Sequence, residues 1–277
     1  MPAWDAGFAQ RLPLYEPLRP YAAMLDGAGW PDLGSLQRVM DSRNVVTSSG
    51  KPLQLIEQAA KPRVFEERYE ARIFLQGELQ VRPGDWHDLF NLLVWAAFPH
   101  AKAALNARHY HALREQHAQG AANRGPAQDA LTLFDEGGMV VAASDADLLR
   151  HLRDFEWKHL FWQRREEVRR SMRWYLFGHA IYEKALAPFD GITARGVLFE
   201  VNDEFANLPL AAQIEALDAR LADGIADCAR FRATRELAPV PILGIPGWWP
   251  HNEHEAYYDN IDYFRRSRSE SLSNPRR

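Results

Sequence analysis

The 277-residue sequence has a single cysteine, Cys228, so no disulfide can form within the chain. Its longest apolar run, Leu92 to Phe98, falls far short of the ~20 residues that a membrane-spanning helix needs. It has no large charge imbalance. Its 33 Lys and Arg against 37 Asp and Glu leave a net charge of −4, which excludes bulk attraction to polyanions. No basic segment followed by an apolar one opens the chain, so no secretory signal is read there. Lysine is scarce: Lys51, Lys61, Lys102, Lys158 and Lys184 stand among a majority of arginines, a bias expected of a GC-rich genome. Taken together, these absences point to a cytoplasmic protein with no membrane segment.

What is present reads as an ordinary globular chain. Hydrophobic residues make up 47% and charged residues 25%. A chain of this length buries a core without disulfide or metal staples. Nine tryptophans supply large apolar area, each with one N–H that wants a partner.

The periodicities predict an α+β fold, predominantly helical with a few short strands or hairpins. One globular domain is expected over 1–265, irregular over its first 34 residues, with a disordered polar tail at 266–277. "DLGSLQRVMDSR" reads as a short helix, and "YEARIFLQGELQV" as a hairpin or bent strand pair around Gly77. Asp85 caps a helix that Pro99 interrupts and that resumes as far as Gly120. "DALTLFDEGGMVVAAS" reads as two strands about a turn at Gly137 and Gly138. A long helical pattern from Glu156 to Phe189 is expected to break near Ser171. A strand "ARGVLFEVN" and an amphipathic helix with Ile214, Leu217, Leu221 and Ile225 follow.

Two helical segments carry polar side chains into apolar surroundings. In "DWHDLFNLLVWAAFP", His87 and Asn91 are four residues apart and share a face. His87 sits in the first turn, where the helix dipole disfavours imidazolium. In "FGHAIYEK", His179 and Glu183 have the same spacing, read as one face with Tyr175, and can offer a nitrogen and a carboxylate to one cation. Gly178, read as lying within this helix, marks the close approach of another element. If the helices face each other, His87, Asn91, His179 and Glu183 converge as an acid/base site, with His179, Glu183 and His87 as the metal-ligand option. A buried hydrogen-bonded network with no catalysis is the most favoured reading, a metal-free acid/base site with Glu183 as the base comes next, and a divalent metal is the least favoured.

Other constellations carry blander alternatives. His109 and His111 diverge on their helix. Asp135 and Glu136 beside two glycines are good turn chemistry, with cation binding the lesser option. The arginines of "WQRREEVRRSMR" are neutralised by their own glutamates. Pro246 to Asn252 forms a stiff aromatic bend. Trp248, Trp249, His251 and Asn252 are candidate ligand-binding residues there, balanced against a strap that plugs the core.

The series "WHDLFN", "FP" with "KAALN" after it, "DALTLFDE", "FGHAIYEK" and "GIPGWW" resembles a bacterial family known as domain of unknown function 3025. The resemblance runs from about Trp86 to Arg265. It implies a bacterial origin and a single domain, and it implies no reaction, cofactor or partner. Two departures, Tyr182 where the family usually has leucine and Gln128 where it often has arginine, argue against a catalytic role for either.

Three functions follow. The first is an enzyme, a hydrolase or lyase, using His87, Asn91, His179 and Glu183 with the Pro246–Asn252 loop as a wall of the pocket. The second is a non-enzymatic binding protein that takes a partner or small ligand through the tryptophan loop. The third and least favoured is a nucleic-acid accessory protein using the arginine helix.

Overall fold

The computed structural model describes residues 3–58, 61–120 and 125–265. The tail at 266–277, expected to be disordered, lies outside the described residues. The chain runs through α1 (Arg19–Ala22), α2 (Leu33–Ser42), β1 (Gln54–Glu57), α3 (Tyr69–Gln76), β2 (Glu78–Val81), α4 (Trp86–Ala97), α5 (Pro99–Gln119) and α6 (Pro126–Gly137). It continues through β3 (Gly138–Ala143), α7 (Ala146–Arg153), α8 (Arg165–Ser171), β4 (Met172–Leu176), α9 (His179–Lys184), β5 (Thr193–Glu200), α10 (Leu210–Ala226) and β6 (Ala238–Pro241). This is the expected α+β, predominantly helical class. Among the described residues no helix is long and apolar enough to cross a membrane.

Local chemistry explains the helices that were expected. Asp32 caps α2 by accepting from the Ser35 N–H at 2.7 Å, and Asp85 caps α4 by accepting from the Asp88 N–H at 3.1 Å. Phe98 leaves the helical region, Pro99 restarts it as α5, and Gly120 ends it at φ 63°. Phe98 has no side chain to cap α5, so α10 supplies one. The buried Asp218 accepts from the Ala101 N–H (2.8 Å), the His100 N–H (3.0 Å) and His100 Nδ1 (2.9 Å). That carboxylate sits at the positive end of a helix, where it is most stabilised.

Three expectations change. "YEARIFLQG" is the helix α3, closed by Gly77 at φ 77°, with only β2 extended. A Cβ on Gly77 would meet the Pro52 carbonyl oxygen at 2.3 Å, so the glycine is needed for close approach as well as for its dihedral. "DALTLFDEG" is the end of α6, started by Pro126, and only the apolar half of that stretch forms β3. The break near Ser171 is real, but "MRWYL" after it is the strand β4, so Tyr175 is not in line with His179 on one helix. Its pairing with β3 overrides a helical pattern in the local sequence. Gly178 is accordingly the N-cap of α9 rather than an interior residue.

The larger sheet has the order β4-β3-β5-β6, antiparallel, parallel, antiparallel. The central strand β3 is buried at every residue, which accounts for its unbroken apolar run. Pro239 and Pro241 fall on the edge strand β6, where missing N–H groups do least harm. A two-stranded parallel sheet, β1 with β2, is crossed over by α3. The N-terminal stretch expected to be irregular folds into 3₁₀ turns that bury Phe8, Leu14, Tyr15 and Leu18. Tyr15, Phe90 and Tyr182 stack there, with ring centroids 5.6–5.9 Å apart. Phe90 on α4 and Tyr182 on α9 bind these two helices side by side, three residues beyond His87 and His179 respectively.

Candidate functional site

The starts of α4 and α9 and the end of α6 meet at one polar cavity of about 360 Å³. Its lining includes Tyr69, Glu70, Arg82, His87, Asn91, Asp135, Glu136 and His179. The junction is close because both connections are glycines. A Cβ on Gly178 would lie 2.5 Å from the Gly137 Cα, the Gly137 carbonyl carbon and the Gly138 nitrogen. The Phe177 and Gly178 N–H groups both donate to the Gly138 carbonyl, at 2.9 and 2.8 Å. Nothing larger than glycine fits, and Asp135 and Glu136 are thereby brought up to His179.

The two imidazoles face each other across this junction. His87 Nε2 and His179 Nε2 are 3.1 Å apart, and a Glu136 carboxylate oxygen lies 3.6 Å from His179 Nε2. The three ligand-type atoms of His87, Glu136 and His179 all fall within 4.8 Å of one another. Glu183 takes a different position from the one expected. Its carboxylate binds the other ring nitrogen of His87, Nδ1, at 3.0 Å. One helical turn places His179 and Glu183 on the same face, but the His87 ring stands between them in function. Glu183 holds that ring and faces away from the Nε2 pair. The convergent set is therefore His87, His179 and Glu136, with Glu183 behind His87.

Asn91 enters the cavity as its spacing from His87 predicts, and its partners were not expected. Lys102, almost fully buried near the start of α5, donates to Asn91 Oδ1 at 2.8 Å and to Asp135 Oδ1 at 2.5 Å. Its ammonium also lies 5.6 Å from the Trp95 ring centroid. The other end of the amide, Asn91 Nδ2, donates to the Tyr69 hydroxyl at 2.8 Å. Asp88, expected to serve the cap, accepts two bonds from the Arg82 guanidinium, at 2.7 and 2.8 Å.

The charges here are not those that helix stability favours. Asp135 and Glu136 occupy the last turn of α6, the negative end of its dipole, and His179 is the first residue of α9, at a positive end. Burial pulls the His179 pKa down to about 4, against the opposing pull of Asp135, so the ring is neutral at pH 7. Its Nδ1 forms no hydrogen bond of good geometry. It faces Asp135, whose carboxylate oxygen is 4.0 Å away and whose backbone acts in the same direction. Burial also acts on Asp135, but Lys102 and His179 outweigh it and hold the carboxyl below its ordinary value. Glu136 is raised, by burial first, with His87 pulling against it and Asp135 adding to it.

Sequence reasoning missed Lys102, Asp135, Glu136 and Tyr69 as parts of one site. A signal was present for the acids: read as a helix stopped by glycines, "DALTLFDEGG" puts both carboxylates in a terminal turn that disfavours them. The tryptophan loop lies elsewhere, and none of Trp248, Trp249, His251 and Asn252 lines the cavity. Asn252 is fully buried. Its Nδ2 donates to the Leu243 and Ile245 carbonyls at 2.8 and 2.7 Å, and its own carbonyl accepts from Arg165 at 3.0 Å. That amide closes a strap over the core, so the expected wall of the pocket is not this loop. Three arginines of the run are paired, Arg165 in this strap, Arg169 on Glu166, and Arg164 on Glu167 and Asp145, and Arg173 donates to backbone carbonyls.

Fold and site define an α+β protein with a histidine–carboxylate centre at a helix–strand junction. The chain belongs to the family described as protein of unknown function (DUF3025), which matches residues 53–268. No curated protein and no solved structure matches it.

Proposed function

We propose that the protein is a hydrolase that works with one divalent cation held by His87 Nε2, His179 Nε2 and the Glu136 carboxylate. The observation that carries this reading is the spacing of those atoms. Ligands about 2.0–2.1 Å from a tetrahedral ion stand roughly 3.3–3.4 Å from one another. The two separations from His179 Nε2, 3.1 Å to His87 and 3.6 Å to Glu136, bracket that value, and the third lies within 4.8 Å.

Proton bookkeeping supports it. Glu183 accepts from His87 Nδ1, which leaves the His87 Nε2 lone pair facing His179. A neutral His179 with its proton on Nδ1, toward Asp135, turns a second lone pair to the same point. In that tautomer the two Nε2 atoms, 3.1 Å apart, need a cation between them, whereas a proton on either one would make the contact a hydrogen bond. A histidine–carboxylate pair behind a ligand is also the usual way a protein orients such a ring. Three protein ligands leave a fourth position open to the cavity, the arrangement of catalytic rather than structural centres.

A cation there supplies a hydroxide at neutral pH and polarises the bond it attacks. Held by His87, Glu136 and His179, such a cation would supply the nucleophile for hydrolysis, and the proton released from its bound water would balance the one taken up by the leaving atom.

Elemental analysis of untagged protein is the test. Wild type is expected to carry close to one equivalent of a transition metal. Glu136→Gln and His179→Ala should lose it, and Glu183→Gln should weaken binding by about 10–100-fold without abolishing it. Wild-type protein that carries no metal and shows no calorimetric binding of Zn²⁺, Co²⁺ or Mn²⁺ at pH 7.5 overturns the proposal.

A further inference from the structure

We propose that Tyr69 donates its hydroxyl hydrogen bond to the carbonyl oxygen of the substrate, and that the cavity takes an uncharged acyl compound, an amide or ester. This rests on the hydrolase reading above and adds to it a catalytic residue and a substrate class.

The donor role follows from a chain of hydrogen bonds whose direction is fixed at one end. An ammonium only donates. Lys102 therefore fixes the Asn91 amide with its oxygen toward Nζ at 2.8 Å and its NH₂ turned the other way. That NH₂ donates to Tyr69 Oη at 2.8 Å. A hydroxyl that accepts must direct its own hydrogen elsewhere. Among the described residues no acceptor takes it, and Tyr69 forms part of the wall of the cavity that His87, Glu136 and His179 also line. The residue keeps 40% of its surface exposed, yet its hydroxyl end is enclosed, with Glu70, Asp135 and Asp88 nearby. Burial first, and those carboxylates second, hold the phenol well above its ordinary pKa, so it stays a donor. A preset donor in the same cavity as a polarising centre is what a tetrahedral oxyanion requires.

The substrate class follows from the charges that are already committed. Arg82 is the arginine of the lining, and Asp88 and Asp85 occupy it at 2.7 and 3.2 Å. Lys102 is spent on Asp135 and Asn91. His109 sits beside Glu70. A phosphate group needs uncommitted guanidinium or ammonium donors, and here it would meet Glu70, Asp88, Asp135 and Glu136 instead. A neutral carbonyl compound meets no such repulsion. Asn91 and Lys102 act as positioning residues, through Tyr69.

The test uses full-length protein loaded with Co²⁺ and follows its visible absorption during titration with acetohydroxamate, a small acyl probe. Wild type is expected to bind it. Tyr69→Phe should bind it about tenfold more weakly at unchanged cobalt stoichiometry, as loss of one charge-assisted hydrogen bond implies. Asn91→Asp, which turns the Tyr69 proton back toward the new carboxylate, should show a similar loss at the same stoichiometry. Equal affinity in wild type and Tyr69→Phe overturns the Tyr69 role while the metal reading stands. Wild type that takes up no cobalt overturns both. Inorganic phosphate that perturbs the spectrum as tightly as acetohydroxamate overturns the substrate class.

Discussion

Replacing Lys102 with methionine removes the one ammonium that faces Asp135. The side chains are close in length, so the aliphatic stem still packs beside Trp95 and the change is one of charge. Lys102 is 4% exposed and Asp135 22%. Removing one partner of a buried ion pair costs about 3–5 kcal/mol, because the remaining charge has no compensation. The fifth of its surface that Asp135 keeps in the cavity puts the expectation at about 3 kcal/mol, the lower end of that range. For a chain of this size that is a fall in Tm of roughly 6–12 °C. The double variant Lys102→Met/Asp135→Asn should recover at least about 2 kcal/mol of the loss, since it removes the stranded carboxylate. Asp135 has a folded pKa below its ordinary value, so its stabilisation is present at neutral pH and fades as pH falls through that folded value. Acidification should therefore shrink the gap between wild type and Lys102→Met. Urea and thermal unfolding of the four proteins of the cycle, at pH 7.5 and at pH 3, below the ordinary carboxylate value, measure all of this. Additive single-variant losses, or a Lys102→Met protein within about 2 °C of wild type at pH 7.5, would refute the coupling.

Two further outcomes are expected. Gly178→Ala forces a Cβ into the backbone of Gly137 and Gly138 and should cost about 1–3 kcal/mol, as overpacking does, with weaker metal uptake measured on the same samples. An alanine variant with wild-type Tm and metal content would show that the junction has slack. In chelator-treated protein, the depressed pKa of His179 gives stability that is full above about pH 6.5 and lost as pH falls toward about 4, because the unfolded chain takes up a proton that the folded chain refuses. The drop across that window is about 3 kcal/mol by denaturant titration. A His179→Gln variant with the same slope would assign it to another group.

Much of the helical frame was legible because its signals are local. Asp32 and Asp85 stand where caps belong, as does Asp145, which caps α7 by accepting from the Asp147 N–H at 2.9 Å, Pro99 and Gly120 bracket α5, and α10 shows its apolar stripe. The approach of His87 to His179 was legible too, since each stands in an apolar helix with a polar residue one turn on. What sequence could not give was which ring nitrogen meets which carboxylate. Glu183 and His179 share a helical face, yet Glu183 lands on Nδ1 of His87, and Glu136 arrives from a helix that reads locally as a hairpin. β4 was hidden for a related reason: "MRWYL" becomes a strand because β3 is there to pair with it, its partners lying 29 to 37 residues back along the chain. Lys102 stood out in the sequence only as one of five lysines, and its importance lies in partners on two other helices.

The antiparallel pair β3 and β4 also acts as a ruler for the chemistry at its end. β3 begins where α6 stops, and β4 ends two residues before α9 starts, so the carboxylates and the imidazole hang from adjacent ends of one ladder. A slip of that ladder by two residues would carry Glu136 roughly 7 Å from its place beside His179. The Val140–Tyr175 pairing, in the interior of the sheet, is therefore part of what sets the distance between charges at its rim. Changes that loosen those strands should register first as a lost centre and only later as a lost fold.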